Sequence, residues 1–163
     1  MGLVIKELAL EDITDEFYDS IPEELKHLSL EDLRSTMVLR LAGHTITVVC
    51  LIDGKFVGTA GLTVDYKLDG TIIGFFEDFN VAKEYRGRGF GALITNYIQY
   101  TAWDLGCNQI LGFADRDSVA SRIHPKLGGK EMDGIWWYKD HPYDGITRDD
   151  VMKAELAKHQ KFM

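Results

Sequence analysis

Hydrophobic and polar positions in the first half of the chain predict one strand, two helices and three further strands. Residues 3–7 form the first strand, and Ile13 and Phe17, one helical turn apart, predict a first helix over 10–18. Ser29, with an acidic residue three positions later, is typical of a capped N-terminus and begins the second helix. The apolar face of that helix is expected to consist of Leu30, Leu33, Met37, Val38 and Leu41.

Turn signals separate the three strands that follow. A β-rich run over 45–52 ends at Asp53-Gly54, a dipeptide typical of a two-residue hairpin, and a second run over 56–64 follows directly. A third run over 72–81 completes an antiparallel group. This half therefore lacks the alternating strand and helix order of a dinucleotide-binding fold.

The second half of the chain begins with a helical period. Apolar positions from Phe90 to Leu105 repeat every three to four residues, and Gly106 supplies the stop. The remaining predicted elements are a strand over 109–114, a helix over 117–124 ended by Pro125, a hairpin at Asp133-Gly134 and a charged, solvated helix over 148–161.

Composition places the chain among ordinary globular proteins. With 163 residues, 45% of them apolar and 27% charged, we expect a single domain over 1–163 with a helical extension over about 145–163. The formal charge of −8 argues against nucleic acid and anionic membrane surfaces as partners. No apolar run approaches the ~18–20 residues that span a bilayer, and the N-terminus lacks a leader pattern, so a cytoplasmic location is expected.

Cysteine and histidine lack the spacing of a metal site. Cys50 and Cys107 lie far apart among apolar neighbours, and the five histidines are scattered. We therefore expect reduced cysteines and no metal. Cys107 is expected to pack in the core, because no triad-like placement supports it as an acyl-carrying nucleophile.

The stretch from Glu77 to Gly91 carries the most informative motif. A strand ends near Val81, and a short polar loop leads into glycines that open an amphipathic helix. Glycines at such a junction leave backbone N–H groups directed outward, where the helix N-terminus favours an anion. The loop adds three cations to an acidic chain: Lys83, Arg86 and Arg88. These features predict a phosphate-binding loop.

Two common phosphate motifs fit this loop poorly. Gly87-x-Gly89-x-x-Ala92 matches the dinucleotide fingerprint, but four polar or charged residues separate Val81 from Gly87, where that fold runs straight from strand to glycine. A P-loop is excluded because no Gly-Lys-Ser/Thr occurs. A dinucleotide-binding protein is kept only as a rival.

A better match is the pattern Arg/Gln-x-x-Gly-x-Gly/Ala, present here as Arg86-Gly87-Arg88-Gly89-Phe90-Gly91. With the strands before it and the helix after it, the chain resembles the GNAT superfamily of acyl-CoA-dependent N-acetyltransferases over about residues 45–139. The resemblance implies an α/β (α+β) fold: a mixed, mostly antiparallel sheet of about six or seven strands, flanked by helices and splayed after strand four. It also implies direct acetyl transfer from acetyl-CoA to a primary amine of a small molecule or peptide in a ternary complex.

The resemblance also implies a coenzyme site. Backbone amides of the loop would hold the pyrophosphate: Arg86, Gly87, Arg88, Gly89, Phe90 and Gly91. An open strand edge would pair with the pantetheine arm and polarise the thioester carbonyl through an amide near its end: Phe79, Asn80 and Val81. Asp117 stands where the family often has an Asn in contact with the coenzyme, and a carboxylate there suits the phosphates less well.

Three residues are candidates for proton transfer. Glu77 is the first candidate for the base that deprotonates the amine, because it lies on the thioester strand and shares a face with Val81. Asp78 points to the other face under strict alternation, although a bulge in that strand exchanges the two. His124 occupies the place where the family usually has a Tyr that protonates the departing thiolate. Alternatively, the carboxylates only protect a strand edge and the histidine only complements a helix end.

The resemblance leaves other questions open. A non-catalytic acyl-CoA-binding or regulatory module fits the same loop, and the Tyr-to-His change agrees with such a loss of activity. Residues 54–60 and Glu77-Asp78-x-x-Val81 look somewhat like those of glucosamine-phosphate N-acetyltransferases, and an amino acid, a polyamine or a peptide amine fits equally well as the acceptor. The acidic balance of the chain mildly favours a cationic acceptor. We expect it to contact residues 19–29, 65–71 and the tail. A homodimer is left open as well.

Overall fold

The computed structural model describes residues 2–114, 118, 121–122, 124–131, 136–139, 152–153 and 157. Its strands are β1 Leu3–Glu7, β2 Thr45–Ile52, β3 Lys55–Tyr66, β4 Ile72–Val81, β5 Gln109–Phe113, β6 Lys130–Glu131 and β7 Trp136–Lys139. The α-helices whose two ends are both described are α1 Asp15–Ser20, α2 Leu30–Ala42 and α3 Phe90–Asp104. Short 3₁₀ turns cover Leu10–Asp12, Glu23–Leu25, Lys83–Tyr85 and His124–Leu127.

The described strands form one sheet that opens after β4. Its order is β1-β2-β3-β4-β5-β7-β6, and every neighbouring pair is antiparallel except β4 and β5. The parallel ladder joins Ile73–Phe76 to Gln109–Gly112 and then stops, whereas β4 continues to Val81. Beyond Phe76 the ladder leaves that edge of β4 unpaired. The expected mixed, mostly antiparallel sheet is confirmed.

The turn chemistry of the β2–β3 hairpin sets its register. Asp53 and Gly54 have φ values of 50° and 80°, the left-handed conformation that a type I′ turn requires, and Ile52 pairs with Lys55. The predicted hairpin is therefore confirmed. The third predicted strand is also confirmed, because β4 begins and ends at the expected residues.

Helices cover both faces of the sheet, and successive residues of β2 show this directly. Val48 packs in the cluster under α3, whereas its neighbour Val49 packs in the cluster under α1 and α2. Under α3, the side chains of Leu93, Ile94 and Ile98 are completely buried. This long buried face holds α3 against the sheet, so the start of the helix is fixed beside the end of β4.

Two expectations for the N-terminal helices need correction. The helix predicted over 10–18 is a 3₁₀ turn followed by α1. A new helix starts there because Thr14 Oγ1 accepts a hydrogen bond from the Phe17 N–H at 3.2 Å and caps it. The Ser29 cap of α2 is confirmed. The expected apolar face is only partly buried: Met37 is 2% exposed, whereas Val38 and Leu41 are about half exposed. The sheet covers one narrow stripe of α2, and a helical period alone does not locate that stripe.

The second half follows the predicted order with local differences. α3 ends at Asp104, and Gly106 has the expected positive φ. Of the helix predicted over 117–124, residues 121–122 are described as helical, and a 3₁₀ turn over His124–Leu127 includes Pro125. β6 pairs with β7 as the predicted hairpin requires, although Asp133-Gly134 lies outside the described residues.

Of the predicted tail helix, residues 152–153 and 157 are described as helical, and Met152 is buried in the core and not solvated. The single-domain assignment over 1–163 stays a prediction.

Gly58 lies on β3 opposite Val81 of β4, beneath α3. A Cβ built there would lie 2.6 Å from the Asn80 carbonyl oxygen and 2.8 Å from Ile94 Cδ1. We expect Gly58→Ala to lower the free energy of unfolding by about 1–3 kcal/mol, because backbone has to move to relieve the contact. Urea titration measures this change. Gly2→Ala is the control, since a Cβ there meets no atom within 4 Å; equal stability of the two variants contradicts the prediction.

Candidate active site

A β-bulge in β4 determines where the two candidate carboxylates point. Thr59 pairs with Asn80 and Gly61 with Glu77, so two residues of β4 oppose one residue of β3. Asp78 lies in the bulge with a φ of 51°, an unusual value for a residue other than glycine. Strict alternation of side chains therefore fails at this point of β4.

The bulge brings both carboxylates to one guanidinium. Arg40 of α2 lies 2.5 Å through Nη1 from Asp78 Oδ2 and 3.5 Å through Nη2 from Glu77 Oε1. Its Nε donates to Thr47 Oγ1 at 2.9 Å, and Thr63 Oγ1 donates to Glu77 Oε1 at the same distance. The three charged groups therefore form one hydrogen-bonded cluster on the surface of β2, β3 and β4.

Sequence reasoning missed Arg40. Its Asp78 partner is 38 residues away along the chain, and no local motif marks the arginine. Gly61 is the residue that could have indicated this contact, because a Cβ at Gly61 would overlap Arg40 Nη2. A glycine in the middle of a strand often marks a close approach of another group.

The loop between β4 and α3 has the conformation expected of an anion site. Gly87 and Gly89 have φ values of 74° and 87°, and Gly89 is the N-cap of α3. This N-terminus has no side-chain cap and no acidic residue in its first turn. By contrast, α1 and α2 begin with a capping Thr14 or Ser29 and with acidic residues. An exogenous anion can take the place that a capping side chain fills elsewhere.

The two arginines of this loop are held by local contacts. Arg86 Nε donates to the Val81 carbonyl oxygen at 2.9 Å, which ties the loop to the end of β4. The Arg88 guanidinium lies 5.6 Å from the ring centroids of both Tyr85 and Phe90. The Phe90 ring itself is buried, so its side chain serves the core and only its backbone can face a ligand.

A cavity of about 200 Å³ lies where the sheet opens. It is lined by Phe76, Glu77, Asp78, Phe79, Phe113, Ala114, Ser118 and His124. The site thus joins both candidate carboxylates and the candidate acid. His124 is 8% exposed, and its ring packs edge-on against Phe76 with centroids 5.3 Å apart. Burial lowers the pKa of His124 from its ordinary value of 6.5, so the imidazole is neutral at pH 7.

Burial of His124 also predicts a pH dependence of stability. The unfolded chain binds a proton near pH 6.5, whereas the folded chain binds it only at lower pH, so unfolding becomes easier as pH falls below 6.5. A His124→Gln variant lacks this contribution. Between pH 7.5 and 5, we expect the wild type to lose more unfolding free energy than the variant. Urea titrations at both pH values measure the difference, and parallel losses contradict the prediction.

A second, larger cleft of about 360 Å³ lies on the other side of the bulge. Its walls come from α1, the segment 21–28, α2 and the strands β2, β3 and β4. Asp78 borders this cleft as well as the smaller cavity, whereas Asn80 borders the cleft and not the smaller cavity. The expected acceptor segment 19–29 contributes to its wall, whereas residues 65–71 do not.

Asp117 lies outside the described residues. Cys50 and Cys107 are buried as free thiols, and burial raises the pKa of both, for Cys50 to about 12. A thiol in that state is a poor nucleophile at neutral pH, which agrees with a packing role.

Two other features are absent from the described ranges. There, His, Cys, Asp and Glu side chains form no group of three that suits a metal ion. Among the helices that the structure describes, none combines the length and apolar character needed to cross a bilayer.

Comparison with known proteins identifies the family to which the chain belongs. The sequence profile of the acetyltransferase (GNAT) family matches residues 7–128. An aminoglycoside N(6')-acetyltransferase type 1 of Serratia marcescens is 27% identical over 118 residues, which are 68% of this chain and 81% of that protein.

Solved structures agree on the fold. The structure of a Trypanosoma brucei acetyltransferase superposes with a TM-score of 0.68 at 22% identity, over 88% of this chain and 99% of that one. That of AAC(6')-Iy, in complex with a bisubstrate analogue of CoA and acetylneamine, gives 0.67 at 17% identity, over 87% and 100%.

The open sheet, the uncapped loop at its edge and the family match define an acyltransferase. The chain belongs to the GNAT family of acetyltransferases. It is therefore an enzyme that transfers an acetyl group from acetyl-CoA to an amine. The dinucleotide-binding rival does not fit, because β3 and β4 before the loop are antiparallel.

Proposed function

We propose that acetyl-CoA enters the opening of the sheet with its pyrophosphate on the backbone amides from Arg86 to Gly91. The observation that carries this proposal is the position of the uncapped α3 N-terminus next to the unpaired edge of β4. Lys83, Arg86 and Arg88 add positive charge around that position on an otherwise acidic chain. A helix N-terminus with free donors and nearby cations stabilises a phosphate group.

The pantetheine arm would then lie along Phe79, Asn80 and Val81. Ala82 N–H donates to the Val57 carbonyl oxygen of β3 at 2.9 Å. Because successive amides of a strand point to opposite edges, Val81 N–H is directed to the open edge. We assign this amide to the thioester carbonyl, where a fixed donor stabilises the negative charge that develops on oxygen during attack.

The Glu77–Asp78 pair supplies the base in this proposal. We take the larger cleft as the acceptor side and the smaller cavity as the coenzyme side. Asp78 borders both the acceptor-side cleft and the coenzyme-side cavity, so it contacts the amine directly. Glu77 borders the coenzyme-side cavity and acts through a water or by holding the charge of the cluster. The amine must lose a proton before its lone pair can attack, and a carboxylate at this position accepts it.

His124 is the proposed donor to the departing sulfur. Its imidazole lines the same cavity as the carboxylates, and burial keeps it neutral by lowering its pKa. A neutral imidazole retains one N–H that can donate to a thiolate. The proposal therefore assigns to His124 the role that a Tyr usually has in the family.

The acceptor we propose is a small-molecule amine. The Serratia relative is named for the acetylation of aminoglycosides, which carry such amines. The cleft beside Asp78 is an open groove of about 360 Å³, which suits a small molecule or the end of a chain.

Two measurements test the proposal in sequence. Titration with acetyl-CoA, CoA and NAD should raise the melting temperature with the first two only, since a ligand at 100 times its Kd stabilises by about 2.7 kcal/mol. A thiol reagent should then detect release of free CoA when amines are added. Stabilisation by NAD alone overturns the coenzyme assignment, and CoA binding without amine-dependent release indicates a non-catalytic module.

A further inference from the structure

The cleft beside Asp78 has a largely apolar lining. Phe17 and Phe56 lie edge-to-face with centroids 6.4 Å apart and both border it. Ile21, Leu25 and Leu28 of the segment between α1 and α2 border it as well. Its volume, about 360 Å³, is within the range of roughly 300–1,000 Å³ that small-molecule sites occupy. An apolar group inserted beside these side chains loses contact with water, which favours its binding.

The charged groups of the cleft already have ion-pair partners, and this decides what else can enter. The described lining holds one carboxylate, Asp78, and two cations, Arg40 and Lys26. Asp78 already accepts from Arg40, and Lys26 pairs with Glu23 at 2.9 Å. Within this lining, no second carboxylate stands ready for an additional ammonium group.

Arg40 is the residue that weakens the negative field of Glu77 and Asp78. Without it, Glu77 and Asp78 would present two carboxylates to an incoming amine, which is a favourable arrangement for a polycation. With it, the pair shares a guanidinium that Thr47 also holds in place. One ammonium group can lie against Asp78, but a second and third would be desolvated without partners.

We infer that the acceptor is a monoamine with an apolar or aromatic body, and not a polyamine or aminoglycoside. The amine lies at Asp78, where the cleft meets the coenzyme-side cavity, and the body lies toward Phe17 and Phe56. This inference rests on the proposed function, because it takes the cleft as the acceptor side of that reaction. It departs from the substrate for which the Serratia relative is named.

A matched pair of probes tests the charge argument. Hexylamine and 1,5-diaminopentane have nearly the same length and differ in a terminal methyl group against a second ammonium. We expect kcat/KM for hexylamine to exceed that for the diamine by at least about tenfold. Glucosamine, with one amine on a polar body, should also be poorer than hexylamine, and tobramycin should be poorest.

The outcomes separate this inference from the proposed function. Faster acetylation of the diamine or of tobramycin overturns the substrate class and leaves the enzyme assignment intact. Equal rates for hexylamine and glucosamine overturn the apolar-body part. If acetyl-CoA binds and every probe fails to release CoA, both the inference and the proposed reaction are wrong.

A variant at Arg40 provides a second test through the ratio of the two probes. Arg40→Met leaves the two carboxylates without their cation, so we expect the diamine-to-monoamine ratio of kcat/KM to rise at least fivefold. Arg34→Met is the matched control on the same helix, since Arg34 donates to the Ile13 carbonyl oxygen and does not border the cleft. An unchanged ratio in Arg40→Met, or an equal rise in Arg34→Met, overturns the role of Arg40.

Discussion

Replacing Gly89 with valine is expected to weaken CoA binding by at least about tenfold. Gly89 has a φ of 87° at the N-cap of α3, a conformation that a β-branched residue adopts only under strain. A relaxed backbone would turn the first amides of the helix away from the pyrophosphate, and the new side chain would occupy the approach to them. Isothermal titration with CoA measures the change.

Gly70→Val is the matched control for this variant. Gly70 also has a φ of 87°, but it lies in the β3–β4 hairpin, where an added Cβ meets no atom within 4 Å. Both variants carry the same backbone penalty, so a shared loss of stability cancels from the comparison. A folded Gly89→Val protein that binds CoA as tightly as Gly70→Val contradicts the phosphate assignment.

The second large effect is expected at Asp78. Removal of a positioned base typically lowers a rate by about 10²–10⁴-fold, and we expect Asp78→Asn to lower kcat at least a hundredfold with CoA affinity unchanged. The deficit should shrink between pH 7 and 9, because more of the acceptor amine, whose pKa is about 10, is already neutral in solution. Steady-state kinetics with the best amine at both pH values measures this.

Two further variants test whether the base is Asp78 and not another carboxylate. Glu77→Gln should cost less than Asp78→Asn, because Glu77 does not border the acceptor cleft. Asp65→Asn, a carboxylate on β3 that pairs with Lys67 outside both cavities, should leave kcat unchanged. A larger loss in Glu77→Gln would return the base role to the residue that strict strand alternation favours.

Elements set by local chemistry were predictable from the sequence. The Asp53-Gly54 turn, the bounds of β4 and the stop at Gly106 each depend on a few neighbouring residues, and the structure agrees at all of them. The glycine loop at 87–91 belongs to the same class, because its conformation follows from residues that lie next to each other in the chain.

Features set by distant residues were not predictable. The buried stripe of α2 depends on where the sheet lies, so Val38 was expected to be buried and is exposed. The arrangement of Asp78 depends on a bulge and on Arg40, which no spacing rule connects to β4. The loop proposed to hold the coenzyme was therefore clearer from the sequence than the groups proposed to perform the proton transfer.

The positive φ at Asp78 restricts how this site can be redesigned. At 51° the backbone readily accepts only glycine, asparagine and aspartate, so lengthening this acid to glutamate changes the main chain as well as the reach of the carboxylate. An engineer seeking new acceptors would do better to vary Leu25 or Leu28 on the opposite wall. Asp78→Gly would make a useful inactive variant, because glycine adopts this φ without strain while the carboxylate of the proposed base is lost.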